Sequence, residues 1–270
     1  MGIVNVTPDS FSDGGLFLDA EQAVEHGRRL AAEGADVLDV GGESTRPGAE
    51  AVGAAEELAR VLPVIEGLAE AEDRVPISID TSKRQVAKAA IDAGAAIVND
   101  VTALRADPEL AGVCAQAGVE VCLMHMLGDP RTMQENPVYD DVVDDVRAFL
   151  AERIEFAISE GVGQERIWVD PGIGFGKTVE HNLELLRRLG ELRDLGRPIL
   201  IGTSRKSFIA KLTGAPVDER LGGTIASSVL AYANGAEILR VHDVAPVREA
   251  LEAAAAILDP DGADAIADRV

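Results

Sequence analysis

Short apolar segments recur along the whole chain, and each ends in a polar residue. This pattern predicts strands at 3–6, 36–40, 75–80, 96–100, 119–124, 166–170, 198–202 and 237–241. Nearly continuous apolar runs are typical of strands that are buried on both faces, as parallel strands covered by helices are. The pattern therefore predicts a parallel sheet with helices packed against it.

Helical patterns fill the intervals between these strands. Capping residues bracket three of the helices, at Asp19 and Gly34, at Ser82 and Gly94, and at Asp107-Pro108 and Gly118. Eight repeats of strand and helix predict an α/β fold, a (β/α)8 TIM barrel, as a single domain over residues 1–270. An open, doubly wound sheet is the alternative. In a barrel, function would reside in the loops that follow the strands.

Composition supports a packed α/β protein and limits its partners. Hydrophobic residues make up 47% of the chain, with 27 glycines and 3% aromatic residues. A net charge of -22 argues against nucleic acid or an anionic membrane as a partner, since both attract a positive surface. Only five of the 25 basic residues are lysine, which fits either a high-salt habitat or an ordinary acidic surface.

The cysteines and the apolar segments suggest a soluble, cytoplasmic protein. Cys114 and Cys122 lie in a helical and a strand pattern without metal-ligand spacing, so we expect reduced core residues and no zinc site. No apolar run is long enough to cross a bilayer, and the first residues, MGIVNVTPD, lack the features of a signal peptide.

The stretch DPGIGFGKT, residues 170–178, looks like a phosphate-binding loop, but its spacing differs from one. The Walker pattern requires a glycine five residues before the Gly-Lys pair, and Pro171 occupies that position. Lys177 is therefore not expected to be a Walker lysine, and the glycines need another explanation.

Polar residues close several of the predicted strands. Asp80, Asn99 and Asp170 would converge at the mouth of a barrel, where carboxylate acceptors and an amide suit a nitrogen-rich heterocycle. Taken singly, each could equally cap the following helix. Lys206, which follows the seventh strand, is not explained by capping.

A second group of strand-end residues is cationic and indicates a bound anion. Its members are Arg46, Arg205, Arg240 and His242. Arg240 and His242 are two residues apart on an extended segment, so both should face one ligand, whereas Arg205 could instead form a surface salt bridge. Of the remaining histidines, His125 is expected to be packed beside two methionines, and His26 and His181 to face solvent.

The oxygen-bearing side chains of the first loop are suitable ligands for magnesium. Mg²⁺ commonly arrives with a substrate diphosphate and takes only one or two protein ligands, and Asn5 could be one of them. No GxSxG elbow or Cys-His pair indicates nucleophilic catalysis.

Ordered motifs cover almost the whole chain and resemble the dihydropteroate synthase family. The motifs are NVTPDSFSDGG, DVGGESTRPGA, SIDTSK, IVND, LMHM, DPGIGFGKT, SRKSF and RVHDV. The resemblance implies condensation of 4-aminobenzoate with 6-hydroxymethyl-7,8-dihydropterin diphosphate, giving 7,8-dihydropteroate and diphosphate by an SN1-like displacement. It also implies Mg²⁺ and a homodimer.

The same resemblance assigns roles to individual residues. It implies that the pterin ring is bound by Asp80, Asn99, Asp170 and Lys206 beside Met124, that Asn5 binds magnesium, and that Thr45, Arg240 and His242 hold the diphosphate. Phe11, Pro47, Phe175, Lys206 and Ser207 would border the aminobenzoate site. Lys206, Arg240 and His242 are the expected catalytic residues.

Two other functions share part of this pattern. A barrel that presents methyl-folate to a corrinoid partner would keep the ring-binding acids but would not need GESTRPG, SRKS and RVHD. A non-catalytic homologue would be expected to lack Asn5, Arg240 or His242, and all three are present.

Overall fold

The computed structural model describes residues 1–6, 20–44, 51–71, 74–128 and 132–258. Four residues with a predicted site role lie outside these ranges: Phe11, Thr45, Arg46 and Pro47. The Asp19 cap predicted for the first helix lies outside them as well.

Within the described ranges, strands and helices alternate from one end of the chain to the other. The strands are β1 Gly2–Asn5, β2 Leu38–Gly41, β3 Ile77–Asp80, β4 Ile97–Asp100, β5 Glu120–Met124, β6 Ile167–Asp170, β7 Leu200–Ile201 and β8 Ile238–Leu239. The helices are α1 Ala20–Ala32, α2 Ala54–Ala69, α3 Arg84–Asp92, α4 Leu110–Ala117, α5 Val142–Ser159, α6 Val179–Arg187, α7 Ser207–Thr213, α8 Leu221–Ala233 and α9 Val244–Leu258.

The strands close into a parallel barrel. Strands β1 to β6 form one sheet in sequence order, and β7 pairs with β8. Parallel bridges between Val169 and Ile199 and between Gly2 and Val241 join the two sheets at both edges. The predicted (β/α)8 barrel is confirmed, and the closed ring excludes the open, doubly wound alternative.

The alternation of side chains along each strand divides apolar from polar groups. Residues such as Val40, Ile79 and Val98 face the helices and belong to the main hydrophobic core. Their neighbours in sequence point to the barrel interior, where Cys122 and Leu200 belong to a small apolar cluster at the amino-terminal end. Nearer the carboxyl ends the interior positions are polar, which places the site there.

The helix ends agree with the sequence in part. Gly118 caps α4 in the left-handed conformation, with φ 64°, as predicted. Helix α3 begins at Arg84 with Lys83 as its N-cap, so Ser82 does not cap it. The Asp107 side chain does not cap α4 either, because it accepts a hydrogen bond from the Arg84 backbone N–H.

One histidine prediction was wrong and the cysteine prediction is confirmed. His26 is buried on α1, where its Nε2 lies 3.3 Å from the Ile3 carbonyl oxygen and its Nδ1 lies 2.5 Å from Arg29. His181 is half-buried and takes part in the capping box of α6. Cys114 and Cys122 are both free and buried.

None of the described helices combines the length and the apolar character that crossing a membrane requires.

Candidate active site

The predicted polar group forms at the carboxyl ends of adjacent strands. Asp80 ends β3 and is paired in register with Asn99 of β4. The Asn99 amide donates to Asp39 Oδ2 at 3.1 Å, and Asp39, on β2, is fully buried. Two carboxylates and one amide thus line one side of the barrel mouth.

Arg240, directly after β8, joins these acids. Its Nε donates to Asp39 Oδ2 at 2.6 Å, and its Nη2 donates to Asp80 Oδ2 at 2.9 Å. Burial raises the pKa of Asp80 to about 7, and the Arg240 guanidinium opposes that rise. The pKa of Arg240 itself is raised, because the carboxylates of Asp39 and Asp80 outweigh its burial.

Asp170 and Lys206 form the opposite side of the mouth. Asp170 ends β6, is buried, and accepts a hydrogen bond from the Gly172 N–H at 2.7 Å. Burial raises the pKa of Asp170, and the ammonium of Lys206 counteracts it. Burial lowers the pKa of Lys206 to about 8, with Asp170 and Asp80 opposing the shift and Arg240 adding to it. Lys206 is therefore electrostatically coupled to both the acids and the arginine.

The cationic group differs from the sequence prediction. Arg205 forms a two-pronged ion pair with Asp243, at 3.0 and 2.6 Å, which agrees with its salt-bridge alternative. Arg240 is ion-paired too, so both Arg205 and Arg240 already have carboxylate partners within the protein. The His242 ring is oriented by Ser204, whose hydroxyl lies 2.9 Å from Nδ1.

The glycines of DPGIGFGKT permit a backbone that other residues would strain. Gly172, Gly174 and Gly176 have φ values of 70°, 86° and 63°. A Cβ atom on Gly172 would lie 2.0 Å from the His125 carbonyl oxygen, so the loop also passes too close to its neighbour for a side chain. These observations explain the glycines without a bound phosphate.

Lys177 is buried beneath this loop, a position that does not fit the role of a P-loop lysine. Its Nζ lies 2.8 Å from His125 Nδ1 and donates to the Phe175 carbonyl at 3.0 Å. Burial, together with the lysine charge, lowers the pKa of His125 to about 2. His125 is a neutral, packed side chain, as predicted.

The remaining site residues lie around the same rim. Asn5 is half-buried at the end of β1, and Met124 is buried at the end of β5, paired in register with Asp170. Phe175 packs against a small apolar cluster that includes Met124, and its ring centroid lies 4.5 Å from Lys206 Nζ. Ser207 is exposed at the start of α7.

A buried ion network supports the second and third loops. Lys83 Nζ lies 2.5 Å from Glu57 and 2.6 Å from Glu43, and Glu57 is fully buried. Glu43 also accepts a hydrogen bond from the Val52 N–H at 2.9 Å. Burial lowers the pKa of Lys83, but hydrogen bonds to both glutamates outweigh it and the net shift is upward.

A metal ion at the barrel mouth would depend on a few oxygen-bearing side chains. No cluster of three His, Cys, Asp or Glu side chains suited to a metal occurs in the described part of the chain. Asn5 offers a neutral oxygen at the rim, and one carboxylate oxygen of the fully buried Asp39 has no hydrogen-bond partner among the described residues. This donor set suits a hard cation that brings most of its ligands as water and phosphate oxygens.

Sequence reasoning missed Asp39, which organises the acidic side of the mouth. It lies within the apolar run DVLDV, and an acid at an interior position of a buried strand was the available signal. It also missed Gln134 and Tyr139, whose contacts with the glycine-rich loop follow from the path of the chain and not from spacing.

Comparisons with known proteins agree on one family. Residues 1–242 match the family described as pterin binding enzyme. The chain is 47% identical over 258 residues to dihydropteroate synthase of Escherichia coli K12, covering 96% of this chain and 91% of that protein.

Solved structures give the same answer. Yersinia pestis dihydropteroate synthase, in a sulfonamide drug complex, superposes with a TM-score of 0.93 at 44% identity, over 96% of this chain and 94% of that chain. The Xanthomonas albilineans enzyme with 4-aminobenzoic acid superposes with a TM-score of 0.88 at 51% identity, over 96% and 92% of the two chains. Its complex with 7,8-dihydropteroate gives a TM-score of 0.85 at 49% identity, over 96% and 92%.

Proposed function

The chain belongs to the pterin binding enzyme family as a dihydropteroate synthase, and we propose that its rim residues divide the reaction between a ring-binding side and a diphosphate-binding side. The reaction joins 4-aminobenzoate to 6-hydroxymethyl-7,8-dihydropterin diphosphate in folate biosynthesis. The relatives named above are synthases, which favours this activity over methyl-folate presentation to a corrinoid partner.

The observation that carries the division is the meeting of Arg240 with Asp39 and Asp80 at the barrel mouth. Acids and an amide that suit a heterocycle lie directly beside a guanidinium that suits phosphate. One substrate that combines a pterin ring with a diphosphate would span both sides.

On the ring side, Asp80, Asn99 and Asp170 would bind the N–H groups and nitrogens of the pterin. Lys206 would donate to the ring from above Asp170, and Met124 would pack against its face. Asp170 is buried and Asp80 is largely buried, and hydrogen bonds from a polar ligand offset the cost of burying such acceptors. Ring binding therefore also lowers the cost of burying these groups.

On the diphosphate side, Arg240 and His242 would bind the leaving group. Arg240 is held by two carboxylates and His242 by Ser204, so neither side chain has to be ordered when the substrate arrives. Thr45 and Arg46, outside the described residues, would complete this side.

The displacement needs no strong general base. The bond between the exocyclic carbon and the bridging oxygen breaks first, and its electron pair leaves with the diphosphate. The lone pair of the neutral aniline nitrogen then forms the new C–N bond, and the nitrogen releases its proton to solvent or diphosphate. Positioning and charge stabilisation supply the acceleration.

Magnesium would bind beside Asn5, and when bound it would neutralise charge on the departing diphosphate. Asn5 is paired in register with Gly41 of β2, and Gly41 with Asp80 of β3, so Asn5 and Asp80 lie at the same level of the barrel mouth. An amide ligand, together with water and phosphate oxygens, is a typical magnesium environment.

The aminobenzoate would lie next to the glycine-rich loop. Phe175 and Ser207, together with Lys206, would border it, and Phe11 and Pro47 of the undescribed loops would complete the border. Phe175 is half-buried against the apolar cluster that includes Met124, and its ring also lies close to Lys206 Nζ.

We also propose that two copies of the chain associate through α8. No residue of this helix is charged in a protein of net charge -22, and Leu230, 61% exposed, lies on its outer face. An uncharged, exposed helix face on an otherwise acidic surface suits a self-complementary dimer contact.

The domain boundaries of 1–270 remain our proposal. Helix α9 lies beyond the family match, yet Arg248 of this helix donates to the Gly34 carbonyl at 2.6 Å. This contact ties α9 to the end of α1, which supports its inclusion in the barrel domain.

The proposed division is tested by substrate-specific losses. With Mg²⁺ and both substrates, the wild-type protein should release diphosphate and form dihydropteroate in equal amounts, and omission of either substrate should abolish both products. Asp170→Asn should mainly weaken pterin binding, and Arg240→Ala should mainly weaken binding of diphosphate alone. Equal losses for both fragments in both variants would contradict the division.

A further inference from the structure

Consecutive backbone carbonyls of the glycine-rich loop each accept a hydrogen bond from a side chain. Lys206 Nζ donates to the Ile173 carbonyl, Gln134 Nε2 to Gly174 at 2.6 Å, Lys177 Nζ to Phe175 at 3.0 Å, and Tyr139 Oη to Gly176 at 2.7 Å. The donors come from three separate parts of the chain. Most loop carbonyls bond to backbone or water, so four side-chain donors in a row are unusual.

The loop needs such side-chain donors because its glycine-rich backbone has little regular hydrogen bonding of its own. Three glycines with positive φ prevent regular structure, and glycine loses more conformational freedom than any other residue when it is ordered. Backbone bonds within the loop contribute little: the Phe175 N–H donates to the Gly172 carbonyl at 3.1 Å. Side chains must therefore supply much of its rigidity.

Tyr139 is built into a support for this role. Its ring makes an edge-to-face contact with His181, with centroids 4.9 Å apart, and lies 6.0 Å from the His125 ring. Burial raises the pKa of Tyr139, so the phenol remains a neutral donor to Gly176 throughout the physiological range. The ring is anchored by packing, and the hydroxyl is directed at the loop.

Phe175 lies in the middle of the held segment. Its carbonyl is bound by Lys177, the carbonyls on both sides are bound by Gln134 and Tyr139, and its ring lies beside Lys206. The direction of a side chain follows from the backbone that carries it. Fixing these three carbonyls therefore fixes the direction of the Phe175 Cα–Cβ bond, and the apolar cluster against which Phe175 packs limits the position of the ring.

We propose that Tyr139 and Gln134, which both lie between β5 and α5, are positioning residues that act with Lys177 to set the aminobenzoate side of the site through Phe175. The inference rests on the proposed function of Phe175. It assigns a role in the reaction to a connection that contributes no residue to the ring-binding or diphosphate-binding sides.

Tyr139→Phe is the sharpest test, because it removes only the hydroxyl and keeps the packed ring. We expect faster amide hydrogen exchange in a peptide covering 171–178, and a KM for 4-aminobenzoate raised about fivefold, the equivalent of one neutral hydrogen bond. The KM for pterin diphosphate and kcat should stay within about twofold of wild type.

Two further variants sharpen the comparison. Gln134→Leu removes an exposed donor that the fold does not need, and it should reproduce the rise in KM for 4-aminobenzoate. Tyr232→Phe changes the only other tyrosine of the sequence, which lines a cavity beside Met1 at the opposite end of the barrel. This control should match wild type in both exchange and kinetics.

The outcomes separate this inference from the function on which it rests. Unchanged exchange at 171–178, an unchanged KM for 4-aminobenzoate, or an equal loss for both substrates in Tyr139→Phe would overturn the positioning role while wild-type turnover upholds the synthase. A wild-type protein that forms no dihydropteroate would overturn the function itself.

Discussion

Asp39 and Arg240, 201 residues apart in the chain, form a buried ion pair with Oδ2 and Nε separated by 2.6 Å. The same carboxylate oxygen accepts the Asn99 amide, so one acid holds a residue of each side of the proposed site. Removal of the Asp39 charge would leave Arg240, 22% exposed, with Asp80 as its carboxylate partner, so Asp39 should contribute to both stability and activity.

Asp39→Asn should therefore lower the free energy of unfolding by about 2 kcal/mol, the scale of a lost hydrogen bond to a charged group, since Asp80 still compensates Arg240. It should also reduce kcat/KM on the order of 100-fold, the scale of losing one preorganised group. Urea denaturation and steady-state kinetics measure the two effects. Asp36→Asn is the control, because Asp36 is 83% exposed and its pair with Arg248 should contribute about 0–1 kcal/mol. Similar losses in the two variants would contradict the central role of Asp39.

Lys206 should give the reaction an alkaline limit. Burial lowers its pKa to about 8, and only the ammonium form carries the charge that the ring side requires. We expect kcat/KM for pterin diphosphate to fall as the pH rises through about 8, and this fall to vanish in Lys206→Arg, whose side chain stays charged. A wild-type profile that is flat up to pH 10 would contradict this assignment.

The same shift has an opposite effect on stability. The unfolded lysine, with a pKa of 10.5, binds its proton more tightly than the folded one. The contribution of Lys206 to the free energy of unfolding therefore increases as the pH rises from about 8 to 10.5. Its two consequences can be separated by measuring activity and urea denaturation over the same pH range.

Lys83, the N-cap of α3, should contribute far more to the free energy of unfolding than Lys88, which is exposed on the same helix. Lys83→Met would leave Glu57 fully buried without its cation, and we expect a loss of about 3–5 kcal/mol. Lys88→Met, which breaks an exposed pair with Asp92, should cost less than about 1 kcal/mol. The double variant with Glu57→Leu should regain most of the loss; no recovery would show that Lys83 acts through other contacts.

The proposed dimer predicts a change of mass when α8 is charged. Leu230→Glu places acids opposite each other across the contact, and sedimentation velocity should show a monomer at concentrations where the wild type is a dimer. Ile158→Glu on α5, where the side chain is 40% exposed, should leave the dimer intact. A monomeric wild type would refute the contact outright.

The sequence predicted the site residues best where they lie at the ends of strands. Asp80, Asn99 and Asp170 each close an apolar run, and parallel strands bring such ends to one rim, so their convergence followed from the barrel. The buried Asp39 was overlooked because a nearly continuous apolar run conceals which of its residues face inward. Register, which only the folded sheet shows, makes that distinction.

Side-chain contacts between loops could not be predicted from the sequence, for a different reason. Tyr139 reaches Gly176 across 37 residues, and neither residue belongs to a periodic pattern that would relate them. For Arg205 likewise, the sequence allows either a place among the anion-binding cations or a surface salt bridge, and only the fold identifies Asp243 as its partner. In both cases the partner is chosen by the path of the backbone and not by residue type.

The way the ring of strands closes has a consequence for its chemistry. The acids and the amide follow the six-stranded sheet, whereas Lys206, Arg240 and His242 follow β7 and β8, and a single residue pair bridges each boundary. Attraction between Arg240 and the acids of β2 and β3 thus helps to hold the cylinder shut. Because Arg240 follows β8 and its carboxylate partners lie on β2 and β3, this attraction reaches across β1 and adds a side-chain link where the backbone pairing between strands is sparsest.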